Sequence, residues 1–231
     1  MKVIGLLGGM SWESTLPYYQ QINRVVRDRR GGLQSAKIVL YSFNFAEIEA
    51  LQSSGNWAEA GRVLAAAAAS LQTAGAELLV LCTNTMHKVA PAVEAAVSIP
   101  LLHIADPTAE AVRKAGLQTV GLLGTKFTME QDFYAGRLRT RHGIEVITPP
   151  AEQRERVHDV IYRELCQGLV RVESRAAFAA IIAELAGRGA QGIILGCTEI
   201  SLLVRPSDST LPLFDTTAIH ATRAAELALL S

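Results

Sequence analysis

Two stretches of this chain are copies of each other, and that constrains its fold more than any other feature. Ile4-Gly5-Leu6-Leu7-Gly8 returns as Val120-Gly121-Leu122-Leu123-Gly124. The apolar run Leu78-Leu79-Val80-Leu81, ending in Cys82-Thr83-Asn84-Thr85, returns as Ile193-Ile194-Leu195-Gly196, ending in Cys197-Thr198-Glu199. Both are entered by a Gly-Ala pair, Gly75-Ala76 and Gly189-Ala190. Ile99-Pro100-Leu101-Leu102 returns as Leu211-Pro212-Leu213-Phe214. Gly5 to Thr83 is 78 residues and Gly121 to Cys197 is 76, while Pro100 lies 17 past Thr83 and Pro212 lies 15 past Cys197. Three landmarks in one order at near-equal spacing mark an internal duplication of about 115 residues. Aligned on Gly75 and Gly189, Thr83 falls opposite Cys197.

Each half alternates strand and helix signals. Val3–Leu7, Ala36–Phe43, Leu78–Leu81 and Ile99–Ile104 read as strands. Pro17–Arg30, Phe45–Ser53, Trp57–Thr73 and Pro107–Lys114 read as helices, and Asn84-Thr85 caps one more that carries His87 and Val93 despite Pro91. The second half supplies helices near Met129–His142, Val157–Gly168 and Ser174–Arg188, and Ala218–Leu230 closes the pattern. Alternation of this kind implies an α/β fold of two pseudo-symmetric doubly wound domains with mainly parallel sheets. The expected division is 1–103 plus 216–231 for the first domain and 104–215 for the second. Ligands of such sheets bind beyond the carboxyl ends of the strands, which places an expected site in a cleft between the domains.

Composition excludes several classes. The 231 residues balance 22 Lys and Arg against 22 Asp and Glu, so no basic stripe asks for nucleic acid. No apolar run approaches the roughly 20 residues that cross a bilayer, and no signal peptide is evident, so a cytoplasmic protein is expected. Cys82, Cys166 and Cys197 are odd in number and match no zinc spacing. No carboxylate or histidine cluster calls for a metal, and no lysine sits in a Schiff-base context. Gly8-Gly9 lacks the spaced glycines of a dinucleotide fingerprint.

The paired strand ends carry the chemistry. A strand running into a helix N-terminus offers free backbone N–H groups and positive partial charge, suited to a substrate carboxylate and favourable to a thiolate at Cys197. Two such turns can present one proton-transfer group to each face of an α-carbon. Fixed donors must then stabilise the enediolate that forms when the α-proton leaves. Cys82 adjoins Thr83 but points to the other face of its strand, toward sheet packing. Cys166, in a helical pattern beside Leu165 and Leu169, is expected in the core; His87 is expected to be structural, and His103 and His220 to be packing or surface residues. Glu13, Asp106 and Asp215 follow turns and read as helix caps.

Gly196-Cys197-Thr198-Glu199, Asn84-Thr85-Met86-His87 and Gly8-Gly9-Met10-Ser11 together resemble the cofactor-independent aspartate/glutamate racemase family along the full chain. The resemblance implies two α/β domains, no pyridoxal phosphate or other cofactor, an amino-acid substrate and a homodimer. The family's first site usually reads Cys-Asn-Thr-x-His, and here Thr83 takes the cysteine's place. This looks like a subgroup with a Thr/Cys pair acting on aspartate and glutamate or on a wider set. Carried over by resemblance, Thr83 and Cys197 are the acid/base pair, and Met10, Gln52, Asn84, Thr85, Thr198 and Glu199 contact substrate. A cysteine-dependent isomerase or decarboxylase of small dicarboxylates is an alternative on the same scaffold. A non-catalytic amino-acid-binding module is another.

Overall fold

The computed structural model describes residues 1–230. The chain divides into two compact units, one of Met1–Ile104 with the chain from His220 on, the other of Ala105–Ile219. Each is built on its own four-stranded sheet.

In the first unit the elements run β1 (Ile4–Gly8), α1 (Trp12–Arg30), β2 (Ile38–Ser42), α2 (Phe45–Ser53), α3 (Trp57–Thr73), β3 (Leu78–Leu81), α4 (Ala90–Ala96) and β4 (Leu101–Leu102). The sheet order is β2-β1-β3-β4, with every pairing parallel. Strand alternation divides the core in two. Leu7, Leu79 and Leu81 face a cluster containing Leu64, Ala68 and Leu71 of α3. Ile4, Leu6, Val80 and Cys82 face Tyr18, Ile22 and Val26 of α1 and Ala221, Ala224, Ala225 and Ala228 of the last helix (Thr216–Leu229). Those alanines recur at helical spacing, which turns one narrow stripe of methyl groups toward the sheet.

The second unit repeats the plan. Its elements are α5 (Ala105–Lys114), β5 (Thr119–Gly124), α6 (Lys126–Glu130), α7 (Asp132–His142), β6 (Glu145–Ile147), α8 (Ala151–Arg163), α9 (Val172–Gly187), β7 (Ile193–Gly196), α10 (Ile200–Leu203) and β8 (Leu213–Asp215). The sheet order β6-β5-β7-β8 has the same sense as the first, again all parallel. The register repeats as well: Gly5 lies beside Leu79, and Gly121 beside Ile193. Both glycines let a helix close on the sheet. A Cβ on Gly5 would meet Ala76 at 2.8 Å and Leu71 at 3.4 Å, and one on Gly121 would meet Ile193 at 2.7 Å and Leu185 at 3.0 Å.

Several local expectations change. The first helix begins at Trp12, not Pro17, and carries Pro17 inside it. Proline so near the helix start removes only one interior hydrogen bond. His87 and Val93 do not share a helix. Thr85–Val89 forms a 3-10 helix, Asn84 makes no side-chain cap, and Pro91 lies in the first turn of the separate helix α4, where its missing N–H costs nothing. The Met129–His142 segment is split at Gln131 into α6 and α7. The Val157–Gly168 segment is α8 and a 3-10 turn, Leu165–Gln167, which leaves Cys166 half-buried and outside the core. Asp106 is no cap: it receives two 2.6 Å hydrogen bonds from Arg137 and one of 3.1 Å from His142. Asp215 does cap, accepting from the Thr217 amide at 2.9 Å. No helix among the described residues is long and apolar enough to cross a membrane.

Candidate active site

In the first unit, β1 and β3 are adjacent and parallel, so their carboxyl ends emerge together. The Cys82 amide donates to the Leu7 carbonyl at 2.9 Å, continuing the pairing one residue past the strand. The chain then leaves β3 through Thr83, Asn84 and Thr85, all buried. Beside them β1 ends in the Gly8-Gly9-Met10 turn. Gly9 has φ 84°, and a Cβ there would lie 2.4 Å from the Phe43 carbonyl, so this turn admits glycine alone. The Gly9 amide donates to Thr15 Oγ1 at 2.8 Å, which fixes the turn that presents Met10. Gln52, on α2, places Nε2 3.0 Å from the sulfur of Met86, next to Thr85. Thus Met10, Gln52, Thr83, Asn84 and Thr85 all belong to the buried upper end of one sheet.

The second unit holds the other three. Cys197, Thr198 and Glu199 follow β7 directly and are buried. The Cys197 thiol donates to Glu199 Oε2 at 3.0 Å, and the Thr198 hydroxyl donates to the same oxygen at 2.8 Å. A single carboxylate therefore takes both hydrogens of the turn. Burial pushes the Cys197 thiol well above its usual range, and the negative Glu199 beside it adds to the shift. Burial and the neighbouring carboxylate thus act against the pull of the turn toward a thiolate. The helix after the turn, α10, spans only Ile200–Leu203 and has too few aligned peptides to outweigh burial and a carboxylate. Cys197 rests as a thiol with its hydrogen directed at a base.

Cys82 sits fully buried in the apolar cluster against α1 and the last helix, and burial alone pushes its thiol far up. Thr125 is a residue the motifs did not single out. It follows Gly124, which pairs with Gly196 immediately before Cys197, and its hydroxyl accepts from the Thr128 amide at 3.3 Å. The duplication held the signal, since Thr125 occupies the position of Gly9 after the repeated Gly8/Gly124. Among the described residues no group of three or more His, Cys, Asp and Glu side chains could hold a metal ion.

Duplicated parallel sheets, each delivering a small polar turn at the end of its third strand in sequence, define an α/β protein with racemase architecture. The family described as Asp/Glu/Hydantoin racemase matches residues 7–224, and the chain belongs to that family. A proposed Asp/Glu racemase of known structure from Yersinia pestis is 58% identical, with 99% of this chain and 100% of that one covered and a TM-score of 0.92. An aspartate racemase homologue from Pyrococcus horikoshii is 36% identical over 99% of this chain and 100% of its own, with a TM-score of 0.84. The broad specificity amino-acid racemase RacX of Bacillus subtilis is 24% identical over 95% of each chain.

Proposed function

We propose that this enzyme racemises aspartate or glutamate without pyridoxal phosphate, with Thr83 and Cys197 as its two proton-transfer groups. The thiol–carboxylate contact of Cys197 and Glu199 carries this reading. A thiol must lose its hydrogen before it can take a substrate's α-proton, and Glu199 stands where that hydrogen can go. The thiolate then removes the α-proton, and the C–H electron pair passes into the substrate carboxylate as an enediolate. Amide donors and the side chains of Asn84, Thr85 and Thr198 serve to stabilise that charge. Thr83 donates its hydroxyl proton to the opposite face as it takes one from solvent, and Glu199 gives its proton up to solvent when the product leaves.

Thr83 and Cys197 are unequal partners. A threonine hydroxyl is far less acidic than a thiol, whose reference pKa is about 8.5. Thr83 therefore acts by donating and relaying a proton, while Cys197 alone becomes an anion. By family resemblance Cys197 serves the L face. Met10 and Gln52 would complete the substrate contacts. The similarity to a broad specificity racemase supports a substrate range wider than the two acidic amino acids. A homodimer in the cytoplasm is the accompanying expectation, and sedimentation of the purified protein tests the dimer.

The deciding experiment incubates the protein with each enantiomer of aspartate and glutamate in heavy water and follows chirality and α-deuteration. Enantiomers have equal free energy, so kcat/KM must match in the two directions. The asymmetry appears instead as unequal deuterium in recovered substrate from the L and D sides. Equal wash-in from both would refute the unequal roles. Binding with no exchange would refute the racemase reading, and maleate in parallel would expose an isomerase.

A further inference from the structure

Three of the five histidines lie together in the first unit, buried, directly behind the Thr83 turn. His87 Nδ1 lies 2.7 Å from the Thr83 carbonyl oxygen, and its Nε2 lies 3.1 Å from the Ile104 amide nitrogen. A carbonyl can only accept, so Nδ1 carries hydrogen. An amide N–H can only donate, so Nε2 offers its lone pair. These two contacts define a neutral ring in the Nδ1–H tautomer. His220 shows the opposite arrangement: Nε2 donates to the Leu102 carbonyl at 2.9 Å, and Nδ1 lies 2.9 Å from the Tyr18 hydroxyl. The His87 ring sits 4.5 Å from that of His103 and 5.9 Å from that of His220, centroid to centroid.

We propose that His87 is a positioning residue for Thr83, a neutral Nδ1–H imidazole that fixes the carbonyl of the reacting residue and ties it to Ile104 just beyond β4. The inference rests on the racemase reading above. The peptide after β3 has left the sheet ladder, since the Thr83 amide bonds back to Leu81 at 2.8 Å. Nothing in regular secondary structure therefore sets the Thr83 carbonyl, and the His87 ring does so from one turn ahead. The ring is itself braced by His103 and by His220, whose two nitrogens are anchored on β4 and α1. Small displacements of a reacting group are costly: about 1 Å can lower a rate about 100-fold.

The test has two arms on the full-length protein. In the first, histidine-selective nitrogen-15 NMR at neutral pH assigns the ring nitrogens of His87, with His220 as internal reference. The expected pattern is Nδ1–H for His87 and Nε2–H for His220. An Nε2–H or doubly protonated His87 overturns the proposal. In the second, His87→Asn, His87→Gln and His87→Ala are compared for kcat and KM. Asparagine places an amide N–H where Nδ1 stood, whereas the longer glutamine side chain carries its amide beyond that point. We expect Ala and Gln to lower kcat about 100-fold with KM little changed, and Asn to restore most of it. Equal loss in Asn and Ala at matched thermal stability, or full activity in Ala, overturns the proposal. If the wild-type protein exchanges no α-proton, the racemase reading itself fails and the functional role falls with it. The tautomer assignment identifies that case separately.

Discussion

The sulfur of Cys197 and Oε2 of Glu199 lie 3.0 Å apart, with the thiol hydrogen between them. Two residues apart on one turn, they form an acid and its acceptor. Glu199→Gln removes the negative charge that helps hold the thiol protonated. The Cys197 titration, followed by thiolate absorbance or alkylation rate against pH, should move to lower pH. Racemisation should fall about 100-fold, the lower range for loss of a general base. An unchanged titration would show that burial alone sets the thiol.

Cys197→Ala should abolish α-proton exchange at the L face, read as deuterium in recovered L-substrate. Thr83→Cys restores the residue usual in the family and supplies a second group able to ionise. Exchange from the D side should then rise relative to the L side. A Cys197→Ala protein that racemises at the wild-type rate would remove the assignment entirely.

Cys82 gives a prediction about stability and pH. Burial raises its thiol above the ordinary value, so the folded state keeps a proton that the unfolded chain releases. Stability from this thiol is fully present below the unfolded pKa of about 8.5 and declines as pH rises above it. Urea midpoints measured from pH 7 to pH 10 should fall for the wild type and fall less steeply for Cys82→Ala. At pH 7 the alanine variant should be less stable by about 1 kcal/mol through lost packing, with racemisation retained.

Gly5→Ala and Gly121→Ala test the duplication in energetic terms. Each added methyl meets a neighbouring side chain at 2.7–2.8 Å, where a helix rests on the sheet. Each should cost about 1–3 kcal/mol by overpacking, measured by denaturant unfolding. The larger penalty is expected at Gly5, because the methyl there meets the Cβ of Ala76, which cannot rotate away, whereas at Gly121 it meets the terminal methyl of Ile193.

Much of this architecture is legible in the chain because apolar periodicity and breakers agree there. Helices α2 and α3 end where Ser54-Gly55-Asn56 and Gly75 interrupt them. The repeat likewise sets Thr83 against Cys197, and each lies four residues past the strand residue paired with its equivalent glycine. What sequence does not disclose is decided by contacts between distant residues. Strand β6 is three residues at a sheet edge, too short for a periodic signal. Asp106 looks like a cap until Arg137, 31 residues on, is folded against it. The proton state of Cys197 depends on burial that no local motif reports. His87 looks structural until its ring is seen to meet the Thr83 carbonyl.

The alanine stripe of the last helix has a consequence for synthesis. Ala221, Ala224, Ala225 and Ala228 cover Ile4, Leu6 and Val80, which the ribosome makes far earlier. The whole of Ala105–Ile219 emerges before that cover exists. The second unit can thus acquire its fold while the first still exposes the part of one sheet face that α1 leaves uncovered. Order of maturation is the reverse of order of translation, and a nascent chain stalled before His220 should display that uncovered part of the sheet to chaperones.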